Sequence, residues 1–457
     1  MKMLKRLAAV SMALAMTIGV TACSGGSSSS SQAAGSGTST KEPVTIEFWN
    51  GWTGPDGTML KKLVKEYNEK NTDGVTVKMD IMEFSSLTEK MATALASNTN
   101  PQLHLGFAAG EYAIEQQYIP IDDIFEKTDL KKSDFDENIL KNCYYNNHLY
   151  GLPFQITSEY LLWNKDLFQK AGLNPDKAPE TWEQLLEYSK KIDALGNNII
   201  GGGFAFNDGI AIGSIMQDYG GNVVGEDGSS YKSVLTDPQY IAANKQALEL
   251  VKTFTHQNKK NISTTGTEAS FLAGRCGMMV SGSWELAGAK KNKLNYGISL
   301  MPSGPKGSYQ PAWPISMCVM KNTTGRKLEA CYSFLNYWNN NLDNKISGKG
   351  ASPAFQWTKQ QGYQPYLLSV ANDKQLTSDK DYQVTSSYIK HYQNYYPASF
   401  WNAYNLGSEV LQPIGENIGN DKMTVDQALE AANASLTKMI AQMKQTEKSE
   451  PAASSQK

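Results

Sequence analysis

Residues 44–49, VTIEFW, alternate apolar and polar side chains with a period of two, which predicts a strand. Leu60, Leu63, Val64 and Tyr67 then recur at helical spacing, predicting a helix over 58–70, and residues 74–79, GVTVKM, return to strand. Strand, helix and strand at this spacing imply a parallel pair joined by a right-handed crossover. The loop NGWTGPDG, residues 50–57, then lies at the carboxyl end of the first strand, where open α/β sheets hold their ligands. The pattern continues with a helix over 84–97, a short strand over 103–107 and a helix over 111–117. An extended stretch runs from 150 through Trp163, followed by a helix ending before Gly172 and a further helix that Thr181 can cap. DYGGNVVGEDGSSYKSVLTDP reads as a hairpin excursion, with helices over 238–257 and 268–273 after it. No internal repeat is visible.

Length and charge narrow the picture. Of the 457 residues, about 400 remain for folding once the polar ends are set aside, enough for two domains. Lys and Arg number 43 against 45 Asp and Glu, and the net charge of -2 gives no reason to expect nucleic acid. The 23 Tyr and 9 Trp exceed what a core of this size needs, so some of these rings are expected to face a ligand. Cys143, Cys276, Cys318 and Cys331 are widely spaced, with no CxxC pair and no His at zinc-site distance. They read as buried thiols, although an exported chain could oxidise one pair. No cofactor and no metal are expected.

The amino terminus reads as a targeting segment, residues 1–22. Lys2, Lys5 and Arg6 precede a mostly apolar run over 7–22 that falls short of the roughly 20 residues needed to span a bilayer. Val20-Thr21-Ala22-Cys23 resembles the bacterial lipobox, in which the cysteine thiol receives a diacylglyceryl group and the chain is cut just before it. The same small residues also fit the cleavage pattern that releases a soluble protein. The tract behind Cys23 favours the anchor: residues 23–42 are rich in Ser, Gly and Ala, which bury too little apolar surface to offset the entropy of ordering. A flexible leash is useful when its first residue is held at a membrane. Residues 447–457 read as a second disordered segment.

Several blocks together resemble the extracellular sugar-binding proteins of ABC importers, the group that includes the maltose-binding protein. They are IEFWNGWTGPDG at Ile46, YGLPFQITSEYLLWNKDLFQKAGL at Tyr150 with PETWEQLLEYSKKI after it, and FLAGRCGMMVSGSWELAG at Phe271. NYGISLMPSGPKG and SMCVMKNTTGRKLEACYSFLNYW come next, and the region from YYPASFWNAYNLGSEVL onward resembles the family's closing helices. The resemblance implies an α/β, two-lobed periplasmic-binding-protein-like fold of class II type, with hinge strands and a ligand cleft between the lobes. One lobe would comprise 43–154 plus 319–350, the other 155–318 plus 351–446. Together with the lipobox-like segment, which would anchor the chain through lipidated Cys23, it points to a monomer on the extracellular face of the bacterial cell membrane that delivers sugar to ABC transporter permease subunits.

A pyranose has apolar C–H faces, which aromatic rings can cover, and a rim of hydroxyls for amides and carboxylates. Trp284, in SGSWELAG, and Trp401, in ASFWNAY, resemble stacking tryptophans of the family. Trp52 sits in the first strand-end loop, where a large ring would otherwise be exposed, and Trp313 is flanked by prolines near a crossing strand. Trp49, Trp163 and Trp182 lie inside regular elements and read as core. For the polar rim the candidates are Glu111, at a helix start behind a strand end, and Asp208, in the loop FNDG. Thr157 aligns by block with a carboxylate position of the family, and Ala108 and Ala109 stand where maltose binders carry charged residues. Both departures argue against maltose itself, while the many tryptophans and the large chain favour an oligosaccharide over a monosaccharide. His104, alone on a strand, reads as packed more readily than as a contact.

Two other classes remain to be weighed. A lipid-anchored carbohydrate enzyme needs two carboxylates flanking the scissile bond, a test with little power in a chain holding 45 acidic residues. His104, His148, His256 and His391 show no HExxH spacing, and SxxK at Ser229, Ser303, Ser387 and Ser435 lacks the SDN and KTG partners. A glycan-binding surface protein without transport would look much the same in sequence. The chain therefore reads as a transport receptor, not an enzyme.

Overall fold

The computed structural model describes residues 42–202, 209–228, 230–257, 264–397, 400, 402 and 405–449. The leader, Cys23, the leash and the last eight residues lie outside that set, as do Asp208 and Trp401.

Eleven strands are described: β1 (Val44–Asn50), β2 (Val75–Ile81), β3 (Leu103–Gly106), β4 (Tyr144–Tyr145), β5 (His148–Leu149), β6 (Gly151–Asn164), β7 (Val224–Asp227), β8 (Ser230–Ser233), β9 (Met278–Gly282), β10 (Tyr296–Ser299) and β11 (Ala312–Val319). β1 pairs in parallel with β2 and with β3, the expected crossover being made by the helix Pro55–Lys70. The helix starts three residues earlier than its apolar spacing indicates because Pro55, at the first turn, is preset for helical φ and needs no donor there. The predicted helix over 111–117 stops at Ile114, and Gln116 takes φ 54°, a left-handed turn that cannot continue it. Thr181 caps the helix Trp182–Asp193, its hydroxyl oxygen accepting from Gln184 N–H at 3.2 Å. The predicted hairpin is β7 with β8.

β6 connects the two ends of the structure. Its first part, Gly151 to Ser158, runs antiparallel to β11, which in turn pairs with β3; its second part, Glu159 to Asn164, lies between β9 and β10. All fourteen residues of β6 are buried. A strand covered on both faces reads as a near-continuous apolar run, and LPFQITSEYLLW does so apart from its central polar residues. Those central residues mark where the strand passes the site. The register of β6 with β11 shifts between Ile315 and Ser316, a bulge beside the prolines Pro153 and Pro314.

Two hydrophobic cores form: the first takes Leu152, Phe154, Ile156, Tyr160 and Leu162 of β6, the second takes Leu161 and Trp163. The first gathers Phe48, Leu63, Phe154, Phe334, Trp338 and Trp357; the second gathers Leu161, Phe168, Trp182, Ile212, Leu248 and Leu436. Residues from Ala354 to Tyr388 contribute to the first core. Trp49, Trp163 and Trp182 are buried in these cores. The four described cysteines are buried. Burial pushes the Cys143 thiol up to about 12 and the Cys318 and Cys331 thiols well above the ordinary range. No described helix is long and apolar enough to cross a membrane.

Candidate functional site

A cavity of about 840 Å³ opens where β1 and β3 end and β6 crosses β11. Trp52, Thr157, Trp284 and Trp313 all line it. Thr157 and Trp313 are register partners across β6 and β11, so one cross-strand pair forms the floor. Trp52 comes just after β1; its N–H donates to Asn50 Oδ1 at 3.2 Å, and its ring meets Phe154 edge-on at 5.9 Å and 74°. The ring is partly buried against the first core and lines the cavity.

Trp284 sits in the turn between β9 and the helix Glu285–Lys291. Its ring folds back over Gly282, where an added Cβ would fall 1.7 Å from the indole. Only glycine admits that placement. The indole Nε1 donates to Glu268 Oε1 at 3.2 Å, and the Ser281 hydroxyl donates to the same oxygen at 2.9 Å. Tyr363 lies 6.5 Å from Trp284 and stacks on Trp357 at 5.7 Å with planes 7° apart. Trp357 Nε1 donates to Gln155 Oε1 at 3.1 Å, and Gln155 Nε2 donates to Thr157 Oγ1 at 3.2 Å. A buried chain of contacts therefore runs from the first core to the floor of the cavity and orients its amide and hydroxyl.

Glu111 opens the helix Glu111–Ile114 between Gly110 and Tyr112, both of which line the cavity. Trp401 and Asp208 are outside the described residues; Asn402, Asn405 and Ile210, near them in sequence, line the cavity. His104 also lines it, but its Nδ1 is paired with the Tyr118 hydroxyl at 2.8 Å, and burial lowers its pKa to about 4. It is neutral at pH 7. Sequence reasoning missed Gln155, Tyr363, Glu285 and Asp56. Glu285 stands beside Trp284 in a block already singled out, and Gln155 and Asp56 also lie in singled-out blocks, so those three were within reach.

The charged groups of the wall are acidic: Asp56, Glu268 and Glu285, with no lysine or arginine among the described lining residues. Burial raises the pKa of Asp56. Burial, helped by the neighbouring charge of Glu268, raises that of Glu285 to about 8. No group of three or more His, Cys, Asp or Glu among the described residues is placed to hold a metal ion. Aromatic faces beside carboxylates and amides in a concave site of this size make a binding site for a small polar solute.

The comparison with known proteins defines the class. The family model for bacterial extracellular solute-binding proteins matches residues 62–384, and the chain belongs to that family. It is a family of binding proteins, and the enzyme reading is set aside. The sn-glycerol-3-phosphate-binding periplasmic protein of Brucella abortus is 28% identical over 271 residues, covering 56% of this chain; the chain spans 61% of that relative's length. Among solved structures, the ABC transporter solute-binding protein from Thermotoga lettingae, bound with alpha-D-tagatose, superposes with a TM-score of 0.71 at 21% identity, covering 87% of this chain and 99% of its own. CpMnBP1 with mannobiose bound gives 0.69 at 23% identity, covering 86% and 100%. The chain has the two-lobed α/β fold of these periplasmic-type binding proteins.

Proposed function

We propose that this protein captures a carbohydrate, an oligosaccharide rather than a single sugar, in the cavity at the β6–β11 crossing and delivers it to an ABC importer permease. The observation that carries the reading is the convergence of Trp52, Thr157, Trp284 and Trp313 on one cavity, with Gln155 and Tyr363 held beside them. The volume of about 840 Å³ falls in the upper part of the roughly 300–1,000 Å³ range of small-molecule sites. A glycerophosphate ligand, which the name of the Brucella relative raises, finds no lysine or arginine on the described wall to meet its phosphate.

The proposed lobes are 43–154 plus 319–350 and 155–318 plus 351–446, with closure by bending of β6 and β11. The packing of Ala354 to Tyr388 with the first core favours moving the second boundary later. Ligand shifts the open and closed populations only by its differential affinity for the closed form. Trp401 and Asp208 stay as proposed contacts.

A thermal-shift screen of oligosaccharides, with sn-glycerol 3-phosphate included, tests the ligand class. A ligand at 100 times its Kd adds about 2.7 kcal/mol to the folded state, a readily visible rise in Tm. One related sugar series is expected to give it, with the sugar recovered intact. A shift for the phosphate alone would replace the carbohydrate reading.

Cys23 is proposed to carry the lipid, with the leash holding the receptor beside its permease. Each buried acyl methylene contributes about 0.8 kcal/mol, and tethering raises the effective concentration at the permease without tight docking. In a bacterial host, Cys23→Ala is expected to move the protein from the membrane fraction to the medium and to abolish incorporation of labelled fatty acid. Retention of label in the variant would rule the assignment out.

A further inference from the structure

Among the described wall residues, Glu285 has an environment that asks for something more than a hydroxyl. It is 7% exposed, and its Oε2 has no hydrogen-bond partner. A carboxylate oxygen taken out of water without a donor is costly, so it either keeps a proton or meets a donor supplied from the cavity. Glu268, on the helix Thr264–Leu272, adds a second carboxyl close enough for its charge to act on Glu285. The Tyr363 hydroxyl feels the charges of both Glu285 and Asp56, which brings the third carboxyl of the wall to the same side. Beside these acids lie the rings of Trp284 and Tyr363, 6.5 Å apart. Carboxylates combined with aromatic faces, in a site that offers no competing lysine or arginine among its described residues, match an ammonium group.

We propose that the cleft takes a carbohydrate bearing a basic amine, its ammonium seated against Glu285 and Glu268 beside the faces of Trp284 and Tyr363. This deepens the carbohydrate reading and rests on it. A neutral sugar offers hydroxyl donors and leaves Glu285 in its protonated form. An ammonium can pair with it as a carboxylate. Glu285 is held protonated at pH 7 by burial and by Glu268, so entry of the cation displaces that proton: the acid gives its proton to solvent, the ligand keeps its own, and a carboxylate–ammonium pair remains. Binding then releases up to one proton per ligand. Tyr363 and His104, which share the wall, do not supply it, since burial holds Tyr363 neutral and His104 is already deprotonated.

The experiment compares matched sugars that differ at one position: glucose with glucosamine and N-acetylglucosamine, the corresponding mannose and galactose sets, and cellobiose with the β-1,4 dimers of glucosamine and N-acetylglucosamine. Thermal shift ranks them on the wild-type protein. In at least one set the amine is expected to bind about tenfold tighter than its hydroxyl and acetamide counterparts. Calorimetry of that amine in buffers of different ionisation enthalpy is expected to show net proton release at pH 7 that turns to proton uptake at pH 9, where Glu285 is already ionised and the sugar amine, with a pKa of roughly 8, takes up a proton to bind as the ammonium. Glu285→Gln should remove both the tenfold preference and the proton release; the proton count on the wild type stands by itself if that variant folds poorly. No set in which the amine outperforms its partners would overturn the proposal, whether or not the neutral sugars bind. Binding of neutral sugars alone would leave the carbohydrate receptor intact, while a shift for no sugar at all would remove both readings.

Discussion

Trp284→Ala is expected to weaken binding of the cognate sugar by about 30- to 150-fold, the 2–3 kcal/mol typical of a buried aromatic anchor at a binding site. Two losses combine. The ring that covers a sugar face is gone, and Glu268 loses the indole N–H that orients its Oε1, leaving Ser281 as the remaining described donor to that oxygen. Stability should change less than affinity, because the indole is only partly buried, packed on Gly282 at the margin of the first core. Trp284→Phe separates the two effects: it keeps an aromatic face but has no N–H, and is expected to recover part of the affinity. Calorimetric titration of the sugar found by thermal shift, with both variants, is the measurement. Unchanged affinity in the alanine variant would show that the cleft binds without this ring.

The two strands and the helix between them were legible because their period is short and local: VTIEFW alternates, and Leu60, Leu63, Val64 and Tyr67 share one face. The helix Phe84–Ser97 falls where its spacing puts it. What local pattern could not reveal was the early stop at Ile114, imposed by a left-handed residue two positions on. Tryptophans were the readable part of the site. A large ring in a strand-end loop has nowhere to be buried, so Trp52 and Trp284 stand out without any long-range knowledge. Gln155 does not, since its partner is distant: Trp357 Nε1 reaches it from 202 residues away, and Tyr363 is held by stacking on that same Trp357, whose own place is set by the long-range contact. Glu285 lay in plain view beside Trp284, but its character comes from burial and from Glu268, and neither is a property of the local sequence.

The same dependence on burial gives Asp218 a large effect on stability with pH. Asp218 is 0% exposed in the second core region, where Oδ2 accepts from Trp182 Nε1 at 2.8 Å and Oδ1 accepts from Tyr309 N–H at 2.8 Å. These two donors hold the helix Trp182–Asp193 to the segment that leads into β11. Burial nevertheless outweighs them and raises the carboxyl from 3.8 to about 7. The folded state therefore holds this proton through a window in which the unfolded chain has lost it, and stability falls as pH rises from about 4 to about 7. At 1.36 kcal/mol per unit, the window is worth about 4 kcal/mol. Glu285 acts in the same direction up to about pH 8, whereas His104, lowered to about 4, loses its contribution as pH falls below 6.5. These terms cancel when wild type is compared with Asp218→Asn, which keeps the shape and an acceptor for Tyr309 but does not titrate. Asparagine sets an N–H against the Trp182 N–H or loses one acceptor, a cost that does not vary with pH. The stability of the variant relative to wild type is thus expected to rise by about 4 kcal/mol between pH 4 and pH 8, whatever its offset. Urea unfolding of both proteins across that range measures the difference directly, and a flat difference would mean that Asp218 is ionised throughout, with its two donors outweighing burial after all.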